Sequence, residues 1–129
     1  MKRAPPQRVL IVEDDALLAA ALVAEFTAIG CADVRSVGKI SNALQDIAAF
    51  RPEILVLDVQ LTDSMEGWSL AEIASHLYVP APRIVFSTGN PDVIPAKLRD
   101  GHSIMVKPYM PQELVQSVSG MADRVAMRA

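Results

Sequence analysis

The chain has 129 residues, 51% of them apolar and 21% charged, enough to bury one hydrophobic core and too few for two. Its formal net charge is −3 and its Lys and Arg residues form no cluster, which argues against a nucleic-acid-binding face. The single cysteine, Cys31, excludes an intramolecular disulfide and reads as a small buried hydrophobe. No apolar run approaches the ~20 residues of a membrane span and the first residues lack a signal-peptide pattern, so a cytoplasmic protein is expected.

The run Val9 to Val12 is short, β-branched and uninterrupted, as in a parallel strand buried on both faces. Leu18, Leu22, Phe26 and Ile29 then recur at helical spacing, and Gly30 is placed to end that helix in a left-handed conformation. Val34 and Val37 mark a weak second strand. Ile40, Ala43, Leu44, Ile47 and Ala48 repeat the spacing of one helical face, closed by Pro52. A second strong run, Ile54 to Leu57, stops at Asp58, and Leu70, Ile73, Ala74 and Leu77 form another amphipathic helix. Ile84 to Phe86 and Ile104 to Val106 are two further strands, the last followed by a helix carrying Leu114, Val115, Val118, Met121 and Val125. Between the last two strands the helix is expected to be short, late-starting or irregular, because Pro95 lacks a backbone donor and is tolerated only in a first turn.

Five strand–helix alternations predict an α/β protein with a mostly parallel five-stranded sheet in a three-layer α/β/α sandwich. A single domain covering residues 1–129, with its core at about 7–125 and without an output domain, is expected. In such sheets ligands bind beyond the carboxyl ends of the strands. The predicted ends carry Glu13, Asp14 and Asp15; Asp58; Ser87, Thr88 and Gly89; and Lys107 with Pro108.

The residue types have a joint use. Mg²⁺ prefers oxygen ligands and is commonly held by one or two carboxylates together with a phosphate, which suits Glu13, Asp14 and Asp58. Asp58 can then act as a nucleophile toward a phosphoryl group, with Thr88 and Lys107 interacting with its oxygens. Singly, each residue has a plainer reading: Asp15 as a helix cap, Thr88 as a turn residue, Lys107 as a solvated lysine, Pro108 as a helix starter. The combination carries the functional reading. Trp68 reads as packing, Met105 and Met121 as core, Met110 as core or interface. His76 and His102 lack partners at metal-ligand spacing.

The segments Leu10-Ile11-Val12-Glu13-Asp14-Asp15, Leu55-Val56-Leu57-Asp58, Phe86-Ser87-Thr88-Gly89 and Val106-Lys107-Pro108-Tyr109, in this order, resemble the motifs of bacterial two-component response-regulator receiver domains. The resemblance covers nearly the whole chain. It implies a flavodoxin-like fold, phosphorylation of Asp58 by a phosphohistidine donor, and Mg²⁺ held by Glu13, Asp14, Asp58 and the backbone carbonyl of Gln60. It also implies that Gln60 and Asn90 tune how fast the phosphoryl group is lost, beside the plain reading of both as exposed loop residues. Two departures stand out. Thr62 replaces the family's usual proline and Gly67 comes one residue late, so the loop after Asp58 is remodelled; Ile104 occupies the place of the usual aromatic switch. The threonine motif is similar to that of a receiver subgroup reading Phe-Ala-Thr-Gly, which implies signalling through the region from Thr88 to Asp100.

The expected function is a stand-alone receiver: a non-enzymatic signalling domain that accepts a phosphoryl group from a histidine kinase or histidine phosphotransfer protein. It then binds an unidentified downstream protein or acts as a phosphate sink. Homodimerisation is left open, and nucleic-acid binding and membrane insertion are not expected. The alternative is a receiver-like interaction module independent of phosphorylation. A haloacid-dehalogenase-like phosphatase would need a second acid where this chain has Gln60.

Overall fold

A computed structural model describes residues 5–60, 67–77 and 80–118. Strands β1 (Arg8–Val12), β2 (Asp33–Val37), β3 (Ile54–Asp58), β4 (Arg83–Thr88) and β5 (Ser103–Val106) form one sheet in the order β2-β1-β3-β4-β5, all neighbours parallel. The helices are α1 (Ala16–Ala28), α2 (Ile40–Phe50), α3 (Gly67–Leu77), α4 (Ala96–Arg99) and α5, helical over residues 111–118.

Because successive strand residues point to opposite faces, the uninterrupted apolar runs build two cores. Leu10, Val12, Leu55, Leu57, Ile84 and Phe86 pack with Ala43, Ile47 and Phe50 of α2 and with Leu70, Ala71 and Ala74 of α3. Val9, Ile11, Ile54, Val56 and Val85 face the other way, onto Leu22 and Phe26 of α1 and Leu114, Val115 and Val118 of α5. This is the expected α/β/α sandwich, and Cys31 is buried in the second core as a free thiol. Trp68, Ile104 and Met105 pack against these cores as half-buried residues, while Met110, 58% exposed, belongs to neither.

The element ends follow local chemistry. Asp15 caps α1, its carboxylate accepting from the N–H groups of Leu17 and Leu18. Beyond Ala28 the chain turns at Gly30 with φ of +104°, a conformation that disfavours any side chain. Ile29, expected on the buried face of the helix, instead forms the C-cap and is 40% exposed, because the helix ends just before it. Helix α2 stops at Arg51 in the left-handed region, followed by Pro52.

The segment between β4 and β5 is short and broken, as Pro95 requires. A 3-10 turn covers Pro91–Val93, and α4 is one turn long with Pro95 as its N-cap. β2, one of the two edge strands, is only half-buried, but Arg35 lies 4.2 Å over the Phe50 ring and pairs with Asp33. Thr62, Met121 and Val125 lie outside the described residues, as do the side chains of Ile40 and Leu77.

Candidate functional site

Strand order reverses at β1, whose two neighbours are β2 and β3, and such a switch point is where open parallel sheets bind ligands beyond their strand ends. The register sets which groups meet there. Val12 is level with Leu57, so Glu13 and Asp58 emerge side by side; Asp58 is level with Ser87, and Thr88 with Val106, which brings Lys107 to the same rim. Glu13 and Asp58 are 3% exposed, Thr88 and Ser87 no more than 1%, whereas Asp14 is exposed.

Lys107 reaches across to both buried acids. Its Nζ lies 2.9 Å from Glu13 Oε1 and 3.3 Å from Asp58 Oδ2. Burial by itself lowers the pKa of this ammonium, and the two carboxylates more than reverse the effect, leaving it raised. Glu13 behaves in the opposite way: burial pushes its carboxyl up to about 7, with nearby Asp58 adding to the rise and Lys107 and the Asp15 N–H opposing it. The Asp58 carboxylate is held on both sides, Oδ2 by Lys107 and Oδ1 by the Gln60 backbone N–H at 2.9 Å.

The end of β4 is bonded mainly to its own loop. Thr88 Oγ1 accepts from the Asn90 N–H at 3.0 Å and has one proton to share between Asn90 O at 3.2 Å and Gln60 Oε1 at 3.4 Å. The Asn90 side chain accepts from the Asp92 N–H and caps the following turn, which agrees with its reading as a loop residue. Gln60 does more: its Oε1 also accepts from the Gly89 N–H at 3.2 Å, linking the β3 and β4 loops. No sequence pattern pointed to that bridge. Nor did any point to the hydroxyl pair of Ser87 and Tyr109, 2.7 Å apart behind the rim.

The donor set fits a hard divalent cation. Carboxylate oxygens of Glu13, Asp14 and Asp58 lie within 4.8 Å of one another, the only such group among the described residues. Glu13 Oε1 is buried without a directed hydrogen bond, its close partner being the Lys107 ammonium as an ion pair. The histidines are elsewhere: His76 Nδ1 bonds the Glu72 carbonyl, and His102 lies edge-on to Phe86, its pKa lowered by burial.

The family model described as response regulator receiver domain matches residues 9–119. The chain belongs to the response-regulator receiver family. The receiver is 30% identical over 113 residues to the DNA-binding response regulator MtrA of Mycobacterium tuberculosis, covering 87% of this chain and 49% of that protein. It is likewise 30% identical over 118 residues to the sensory transduction protein LytT of Bacillus cereus, covering 86% of this chain and 45% of the relative. It thus spans about half the length of the curated relatives it matches. Among solved structures, a response regulator from Chloroflexus aurantiacus is similar with a TM-score of 0.75 and 30% identity, over 89% of this chain and 96% of that one. A CheY-like receiver from Methanospirillum hungatei has the same fold, with a TM-score of 0.81 at 24% identity over 95% and 98% of the two chains. Phosphorylation-based signalling is the general role of this family, and the acidic cluster is of the kind that holds its Mg²⁺. No helix among the described residues is long and apolar enough to cross a membrane.

Proposed function

We propose that this receiver accepts a phosphoryl group onto Asp58 from a phosphohistidine of a histidine kinase or phosphotransfer protein, in a Mg²⁺-dependent reaction. The observation that carries the reading is Lys107 Nζ in contact with both Glu13 and Asp58, three groups delivered by three strands to one buried rim beside Thr88. A cation paired with two buried carboxylates beside a hydroxyl is the kind of perturbed cluster that marks a functional rim.

In the proposed reaction a carboxylate oxygen of Asp58 attacks phosphorus, the bond from phosphorus to the donor's imidazole nitrogen breaks, and that nitrogen leaves with the electron pair. Asp58 enters the reaction already oriented by the Gln60 N–H and Lys107. Lys107 then pairs with the phosphoryl oxygens, as does the Thr88 hydroxyl after turning away from Asn90 O or Gln60 Oε1. Glu13, Asp14, Asp58 and the Gln60 carbonyl are the proposed metal holders. Bound there, Mg²⁺ supplies positive charge that offsets the clustered acids and the transferring group.

The reading includes a non-enzymatic role: the domain assists its own phosphorylation and dephosphorylation, and its output is a shift in the surfaces offered to a partner protein. A cytoplasmic location, where a kinase draws on ATP, belongs to the same reading. The downstream partner is proposed to be a protein, the DNA-binding label of MtrA being a property of that longer relative. The experiment is incubation with acetyl phosphate and Mg²⁺, read by intact mass. A single phosphoryl adduct that needs Mg²⁺ and is absent from Asp58→Asn is expected. Absence of an adduct from acetyl phosphate and from phosphohistidine donors would refute the reading in favour of a phosphorylation-independent module.

A further inference from the structure

We infer that the Gln60 side chain is an internal competitor for the phosphoryl-binding donors of this receiver, holding them until a phosphoryl group displaces it. The inference rests on Asp58 being the phosphoacceptor. Two donors at the end of β4 reach one acceptor: the Gly89 N–H donates to Gln60 Oε1 at 3.2 Å, and the Thr88 hydroxyl, which shares its proton with Asn90 O at 3.2 Å, lies 3.4 Å from it. Thr88 ends the strand next to that of Asp58, immediately after Ser87, the residue level with it, and Gly89 follows. A phosphoryl group on Asp58 presents anionic oxygens to the same rim and has need of the donors that the carboxamide oxygen occupies.

Gln60 is built for this exchange. Its backbone N–H is tied to Asp58 Oδ1 at 2.9 Å, so its α-carbon stays beside the acceptor, while its side chain is exposed and can swing out. Its oxygen is a neutral acceptor, and hydrogen bonds to an ionised acceptor are roughly twice as strong, so the phosphoryl group wins the competition at a cost of about one net hydrogen bond. A Cβ placed on Gly89 would meet Gln60 Oε1 at 3.6 Å, an ordinary contact, so the bridge does not depend on Gly89 lacking a side chain. The acceptor atom, through its hydrogen bonds, is the element that acts, and its removal should ease phosphorylation. A bridge serving only to hold the two loops in place would give the reverse result on removal.

The test compares the chain with Gln60→Met, which keeps length without an acceptor, Gln60→Ala, and Gln60→Glu, which carries a stronger, charged acceptor. Affinity for beryllofluoride, a phosphoryl mimic, is measured at saturating Mg²⁺, together with the rate of adduct formation from acetyl phosphate. Met and Ala variants are expected to bind beryllofluoride about five-fold more tightly, the factor for one net hydrogen bond, and to form adduct faster. The Glu variant is expected to fall below the parent on both measures. Equal affinities, or weaker binding by the Met and Ala variants while the parent still forms its adduct, would overturn the inference alone. If neither the parent nor any variant binds beryllofluoride or forms adduct, the phosphoacceptor reading falls and takes this inference with it.

Discussion

The Lys107 ammonium sits nearer to Glu13, 2.9 Å from Oε1, than to Asp58, whose Oδ2 is 3.3 Å away. Without a metal, the lysine is the cation of the acidic rim, and a divalent ion entering among Glu13, Asp14 and Asp58 must share the carboxylates with it.

This arrangement separates two properties in Lys107→Ala. Removing a like charge from beside the metal position should tighten Mg²⁺ binding by roughly ten-fold at pH 8.5, an energy at the lower end of the range for unit charges a few ångströms apart. Losing the charge proposed to meet the phosphoryl oxygens should slow adduct formation by about 10²-fold. Calorimetric Mg²⁺ titration and adduct kinetics check the pair; loss of both properties together would mean that Lys107 chiefly maintains the shape of the rim.

Glu13 is expected to make Mg²⁺ binding pH-dependent. A carboxyl pushed up to about 7 carries a proton on the acid side of neutrality, and the metal needs the carboxylate. Mg²⁺ affinity is expected to fall by up to about ten-fold per pH unit below 7, with a much flatter profile in Glu13→Gln. The stability of the metal-free chain runs the other way. The folded state binds the Glu13 proton more tightly than the unfolded chain, so this contribution is fully present below the ordinary value of 4.5 and is lost as pH rises through about 7. Urea unfolding without metal at pH 5 and pH 8, parent against Glu13→Gln, measures it.

Asp15, third in the acidic run, caps helix α1. Its carboxylate accepts from the Leu17 and Leu18 N–H groups, and it touches Glu13 only through its backbone N–H. Asp15→Ala should cost about 1 kcal/mol in urea unfolding, the usual value of an N-cap, and leave Mg²⁺ affinity within about two-fold of the parent. A large loss of metal affinity would place Asp15 among the ligands.

Ser87 and Tyr109 join β4 to the chain just past β5 through their hydroxyls, and burial raises the Tyr109 pKa against the opposing effect of the Ser87 bond. Ser87 is 1% exposed, so Tyr109→Phe leaves a buried hydroxyl without its partner and should destabilise by about 1–2 kcal/mol. Adding Ser87→Ala to that variant should recover part of the loss. A double-mutant cycle with no coupling would mean the hydroxyl contact contributes nothing to stability.

The chain order of apolar runs was enough to determine the sheet, its parallel sense and its two helical layers, since a strand buried on both faces needs an uninterrupted run and each crossover needs a helix of its own. Pro95 was enough to predict a broken fourth helix, and the order of acids, threonine and lysine was enough to single out Glu13, Asp58, Thr88 and Lys107. Ile29 was misread because periodicity does not reveal on which residue a helix ends; Gly30 stops α1 early enough to leave Ile29 at the surface.

Only the tertiary structure decided how the rim is wired. Gln60 meets Gly89 and Ser87 meets Tyr109 across 29 and 22 residues, and Lys107 pairs with acids from two other strand ends at once. Such contacts depend on strand register and on the direction of single side chains. Polar residues in loops carry no periodicity that records either, whereas a buried apolar strand declares itself residue by residue.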